Sequence, residues 1–371
     1  MSDMIKSEIL DEEILDEKVL DEEVLDEEVL DEEVLDEEVL DEEVLDEEVL
    51  DEKLFLPASD SEKATAEVMR PSVGYWKDAW RRLKANKVAM GSLVVILLVV
   101  LAAIIGPMLS PYEYDQINKG SENLPPNAQH IFGTDSLGRD LFTRTMIGAR
   151  ISLSVGIVAA IMISIIGILY GAISGYFGGW VDIVMMRIID IVYSVPTILI
   201  VILLQVALKT PIDNFLNSAS APKFLKNLGV GLISIFFVLA LLYWVDMARI
   251  VRGQILALKE QEFVLAAKVL GANNRRIIFK HLIPNCIGQI IVVATLKIPE
   301  AIFVESFLSF IGLGVSIPMA SLGSLAQTAL KGIYSYPYML FFPAATISII
   351  ILSINLFGDG LRDALDPRMK K

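Results

Sequence analysis

Residues 261–285, QEFVLAAKVLGANNRRIIFKHLIPN, lie between two blocks that are each long and apolar enough to cross a membrane. Up to Gly271 the stretch is rich in strong helix formers, with Phe263, Ala266, Ala267 and Leu270 recurring at helical spacing. Gly271 suits a left-handed helix end, and Asn273 or Asn274 can cap a second helix whose first turns carry Arg275, Arg276 and Lys280. The expected product is a helix, a tight break and a helix, outside the lipid. Small side chains at Ala266 and Ala267 leave a shallow face on which another protein can seat closely. By spacing alone the same residues also fit an ordinary basic connection between membrane helices.

The composition around this stretch is that of a polytopic membrane protein and not of a soluble enzyme: 371 residues, 54% hydrophobic, with a mean hydropathy of +0.57. The net charge of -16 misleads, because residues 1–53 hold 27 Asp and Glu against three Lys, a charge of -24. The rest of the chain therefore carries about +8, so an acidic tail is joined to a basic body. That tail repeats DEEVL, with small variations, from Asp11 to Asp51. Five residues advance a helix by about 500°, so the Val-Leu pairs never collect on one face. Dense like charge with little apolar content predicts a solvated, mostly disordered segment. The alternative is a lure for a cationic partner or substrate at the membrane face.

From Trp76 the run WKDAWRRLKANK is basic and amphipathic, with aromatics suited to a membrane interface. The block 88–109 that follows is 22 residues, about 33 Å as a helix, and enough to span. With more than eighty residues ahead of it, it is expected to stay in the mature protein and not to be removed as a secretory signal. Further spans are expected at 151–173, 181–208, 230–250, 287–311 and 338–357, which makes six. Loops and flanks on the side of the 261–285 stretch carry sixteen Lys and Arg against eight on the other side. That excess predicts both termini and the central basic segment in the cytoplasm.

Four stretches, in this order, carry a resemblance. They are HIFGTDSLGRDLFTRTMIGARISLSVG at 130–156, GYFGGWVDIVMMRIIDIVYSVPTILI at 175–200, the central stretch, and SFLSFIGLGV at 306–315 followed by NLFGDGLRDALDPR at 355–368. Together they resemble the C-type permease of dipeptide and oligopeptide ABC importers over residues 130–368. Within the central stretch, Ala266, Ala267, Gly271 and Pro284 resemble the EAA loop of ABC importer permeases, whose short helix docks on a cytoplasmic ATPase. Where that pattern has an acidic residue before the alanines this chain has Leu265, and Glu262, one helical turn earlier, lies on about the same face.

The resemblance implies an all-α polytopic membrane protein with six transmembrane helices and a type I ABC importer permease core, behind the disordered acidic tail. The expected organisation is a tail at 1–75, a basic flank and first span at 76–109, and an external segment at 110–149. A transmembrane domain at 150–364 follows, with its coupling loop at 252–285, and a cytoplasmic end at 365–371. ATPase coupling falls on Glu262, Leu265, Ala266, Ala267, Gly271 and Pro284. The implied partners are a second related permease, two cytoplasmic ABC ATPases, an extracytoplasmic peptide-binding protein and membrane lipid, with no nucleic acid. The chain itself is expected to bind no cofactor, ATP and Mg being used by the ATPases. Related permeases carry nickel or other metal chelates, and an ATP-independent scaffold or channel is a rival of another class.

Ionisable residues inside apolar blocks are functional suspects. Arg187 with Asp190, and Lys297 with Glu300, can pair on one helix face, whereas Asp246 and Glu305 have no evident partner on their own helices. Arg187, Asp190, Asp246, Glu300 and Glu305 are the candidates for a substrate path, set against satisfied interhelical pairs. Asp135, Arg139, Asp140 and Arg144 are expected to form ion pairs at a wet interface. The chain has no GxxxxGK followed by Ser or Thr and hence no P-loop. His130, His281 and the single Cys286 are too few and too scattered for a metal cluster or a disulfide framework.

Overall fold

The computed structural model describes residues 74–218, 221–315 and 319–365. The DEEVL array and the end after Leu365 lie outside these residues. Helix α1 is Tyr75–Ala85, α2 Lys87–Leu109, α3 Leu141–Phe177, α4 Gly179–Tyr193, α5 Thr197–Asn217 and α6 Lys223–Leu242. Then come α7 Val245–Leu258, α8 Glu262–Val269, α9 Ile287–Phe310, α10 Leu322–Ala329 and α11 Tyr338–Leu365. Among the described residues, six helical stretches are long and apolar enough to cross a membrane: α2, α3, α5, α6 with α7, α9 and α11. The all-α, six-span architecture expected from the sequence is thus present.

Helix α3 is the axis of the bundle. It packs along α7 and α9, while α9 also packs on α11, and α11 on α2. Helices α3 and α7 approach most closely at Gly171, where an added Cβ would lie 2.4 Å from the carbonyl oxygen of Ala248 on α7. Only hydrogen fits there, so the glycine lets two backbones touch where lipid gives no hydrophobic drive. Around this contact Ile163, Ile235, Leu239, Met247, Ile255 and Leu308 are fully buried in one continuous core. The opposite faces of α2 and α5 keep Leu97, Leu98, Leu101, Leu199 and Leu203 exposed, as a surface meeting lipid or another apolar partner should.

Several expected boundaries move. The span expected at 151–173 belongs to a helix that starts ten residues earlier, at Leu141, so the last residues of the segment drawn to 149 are helical. Asp140 is the cause: its carboxylate accepts from the Thr143 backbone N–H at 2.8 Å and caps the helix there. The block 181–208 is not one helix, because Pro196 begins a new one, and the membrane-length part is Thr197–Asn217. The last span continues to Leu365, well beyond 357. Of the loop drawn from 252, the first part, Arg252 to Leu258, is helical.

Candidate functional site

At one end of the bundle the central stretch folds as a helix, a break and a second helical segment. Helix α8 ends in a Schellman turn: Gly271 N–H donates to the Lys268 carbonyl at 2.9 Å and Ala272 N–H to the Ala267 carbonyl at 3.0 Å. Gly271 supplies the left-handed residue, with φ 78°, and has open space where a Cβ would stand. Its glycine is required by backbone conformation and not by room. Of the two asparagines it is Asn273 that caps, its Oδ1 accepting from Arg276 N–H at 2.8 Å.

The second segment is not the plain helix expected. A single turn at Asn274–Arg276 passes into a π-helix at Ile277–Leu282 and a last turn at Ile283–Asn285. Pro284 has no N–H to give the carbonyl four residues back, and the wider turn is opened by Ile283 N–H donating to Ile278 instead.

Val264, Ile277 and Leu282 are fully buried in the main core, with Ile278 beside them, so the segment is anchored to the bundle. Tyr176, near the end of α3, donates to Asn274 Oδ1 at 2.9 Å and ties it further. The outward face carries Leu265, Val269 and Leu270, the last two 87% and 86% exposed, with Arg275, Arg276 and Lys280 alongside. Ala266 shares that face, but Ala267 is buried against the chain's own body. The shallow outer face expected from two alanines therefore rests on Ala266 alone. Glu262 and Pro284 are exposed. Cys286, just after the segment, is buried, and burial pushes its thiol up to about 11.

A second cluster runs across α4, α7 and α9. Asp190 accepts from Arg249 at 3.0 Å and lies 3.7 Å from Arg187, as the i,i+3 spacing predicted. The Arg249 guanidinium stands over the Tyr193 ring, and the Tyr193 hydroxyl donates to Asp246. Lys297 then bridges two carboxylates, donating to Asp246 and to Glu300 at 2.6 Å each. Tyr193, Asp246 and Glu300 line a cavity of about 200 Å³. Four of the five path candidates thus stand on one strip. Asp246, which had no partner on its own helix, finds one on α9. Tyr193 joins the strip without any signal in the sequence, since a tyrosine in an apolar block reads as packing.

Glu305 stands apart. It is fully buried, accepting from Ser152 Oγ at 2.7 Å on α3 and, on its own helix, from Ser309 Oγ at 2.8 Å and Ser306 Oγ at 3.3 Å. Partners on its own helix do exist, because serine is a donor that a search for opposite charges passes over. Near the same end as α8, Arg252 makes a bidentate pair with Asp182, both bonds at 2.5 Å, and Ser174 donates to the same carboxylate. This pair joins α4 to α7.

At the far end of α3, the residues expected at a wet interface are buried: Asp135, Arg139, Asp140 and Arg144 are all under a tenth exposed. Asp135 accepts from Arg139 Nε at 2.8 Å and from the backbone of Leu137 and Arg139. Asp140 is 2.9 Å from His130 Nδ1. Buried charges call for partners, and Asp135 with Arg139, and Asp140 with His130, meet that need locally. Outside the spans, the Gly120 backbone N–H holds the Glu122 carboxyl below its ordinary range.

Fold and sites together describe a membrane-embedded helical bundle with an anchored, partly apolar ledge at one end, the build of a transport permease. Residues 167–371 match the family described as the binding-protein-dependent transport system inner membrane component, and residues 74–126 match the N-terminal transmembrane domain of oligopeptide transport permease C. The chain is 46% identical to the oligopeptide transport system permease protein OppC of Bacillus subtilis, over 86% of this chain and 98% of that protein. It is 48% identical to the dipeptide transport system permease protein DppC of the same organism, over 85% and 93%. Against OppC of Escherichia coli K12 the identity is 42%, over 79% and 91%. The chain belongs to the family of binding-protein-dependent transport system inner membrane components.

Proposed function

We propose that the chain is a permease subunit of an ATP-driven importer of oligopeptides or dipeptides, and that residues 262–284 couple it to cytoplasmic ATPases. The observation that carries this is the ledge itself. Leu265, Val269 and Leu270 face outward on a helix whose reverse side, through Val264 and Ala267, is fixed in the core. An apolar face this exposed on a firmly held element is built for a partner, and a push on it reaches α3 and α7 without being lost in loop motion. The peptide specificity rests on the relatives' names, and the cytoplasmic placement of both termini rests on the Lys and Arg excess.

In this reading a second related permease completes the path, a binding protein delivers peptide on the side of the 110–140 loop, and two ATPases sit below. ATP and Mg belong to those subunits. The strip from Arg187 to Glu300 faces the path. The test is purification of the tagged chain from its native membrane in gentle detergent, followed by reconstitution. Recovery with two P-loop ATPases and a second permease, and ATP-dependent uptake of a labelled tripeptide, is the expected result. Recovery alone would favour a scaffold or channel, and uptake of nickel chelate without peptide would move the substrate.

A further inference from the structure

The far end of α3 holds a second cavity, of about 290 Å³, between the 110–140 loop, α10 and the start of α11. Its apolar wall is Leu141, Leu325, Ala329 and Met339, with Tyr336 beside them. Two cations, Arg144 and Lys331, also line it, together with the polar Asn123, Ser136 and Thr328, and Asp135 is the only carboxylate among the lining residues. Arg144 is only 4% exposed and its Nε has no hydrogen-bond acceptor among the described residues. Its Nη1 donates to the Tyr114 carbonyl at 2.9 Å. The Asp135 oxygen nearest Nε is 3.6 Å away and is already taken by Arg139 Nε at 2.8 Å. Asp115, exposed on the loop, also acts on Arg144 electrostatically. It sits outside the cavity lining, so inside the cavity the balance is positive.

An arginine buried this deeply with an unused donor calls for an acceptor. We propose that this cavity binds the C-terminal carboxylate of the transported peptide, held by Arg144 and Lys331, with the terminal side chain on Leu325 and Met339. This rests on the peptide-import reading. A concave pocket lined by a buried cation, Arg144, suits a free chain end, which reaches where a side chain on a flat protein surface does not. The size suits one residue and not a whole peptide, being near the lower limit for small-ligand sites. Recognition of a terminus, common to every peptide, would leave sequence free to vary.

The test is photolabelling of the complete transporter in detergent, without binding protein, by a tripeptide whose C-terminal residue is a photoreactive leucine with a free carboxylate. The expected label falls between Leu325 and Met339, is blocked by an excess of unlabelled free-acid tripeptide, and is not blocked by its C-terminal amide. Lys331→Gln, at an exposed position, should reduce labelling about two- to five-fold. Arg144→Gln should reduce it further, and Lys331→Gln keeps the test open if that variant fails to fold. Labelling absent or confined elsewhere, or equal competition by the amide, overturns the site. Uptake of the free-acid tripeptide by the wild-type transporter in proteoliposomes is scored separately. Uptake with the label elsewhere sinks the site alone, whereas no uptake sinks the peptide reading.

Discussion

Gly271 and Glu305 show two ways in which one side chain governs this molecule. Gly271 holds φ 78° in open space, so Gly271→Ala meets no clash and incurs only the left-handed penalty, about 1–2 kcal/mol. That cost falls on the turn presenting Leu270. We expect the variant to insert normally, to hydrolyse ATP with its partners and to import less peptide per ATP; an unchanged ratio would remove Gly271 from coupling. Gly271→Pro should do the same more severely, since the ring fixes φ near -65°. Glu305 is decided by desolvation instead. Its carboxylate is fully buried and rests on three serine hydroxyls, so Ser152→Ala should cost about 1–3 kcal/mol. Glu305→Gln, which keeps the shape and most of the bonds, should be milder than Glu305→Ala. The order of melting temperatures in detergent checks this, and a more stable alanine variant would contradict it.

Among the elements, what could be read in advance was what sequence spacing carries directly. The number of spans and the place of all but the third, the Gly271 break, and the Arg187–Asp190 and Lys297–Glu300 pairs are all local, set by periodicity or by neighbours three residues apart. The missing parts were made by contacts between helices. Nothing near Asp246 in the chain points to Lys297, nothing near Asp182 points to Arg252, and the backbone contact at Gly171 needs α7 to exist. Even Ala267, adjacent to Ala266, turned inward because the bundle decides which side of a short helix is covered. The α3–α7 contact gives the clearest test. Gly171→Val would drive a side chain into the Ala248 carbonyl, 2.4 Å from where its Cβ must stand, and should cost well over the 1–3 kcal/mol usual for overpacking. Loss of the monodisperse complex on size exclusion is expected; a variant with wild-type stability would mean that α3 and α7 can slide apart freely. Leu282→Ala should free the ledge from the core at about 2–5 kcal/mol, read as protease sensitivity at 270–276 with the spans intact.

For the whole molecule, the proposal that matters most is sidedness, because coupling requires the ledge and the cytoplasmic ATPases to share a compartment. The chain offers a clean background for measuring it: Cys286 is its single cysteine, and it is 2% exposed. Burial also pushes that thiol up to about 11, leaving very little thiolate at neutral pH, so wild-type protein should scarcely react with maleimide. Two new thiols then report opposite ends. Leu270 is 86% exposed on the ledge, and Tyr334 is fully exposed between α10 and α11. A membrane-impermeant maleimide should label Tyr334→Cys in intact spheroplasts and leave Leu270→Cys untouched, and inverted vesicles should exchange the two results. This follows from the excess of sixteen Lys and Arg over eight, a bias that acts during insertion and leaves no mark in the packing of the finished bundle. If Leu270→Cys were instead labelled from outside, no ATPase could reach residues 262–284, and the coupling role would fall however well the ledge is shaped for it.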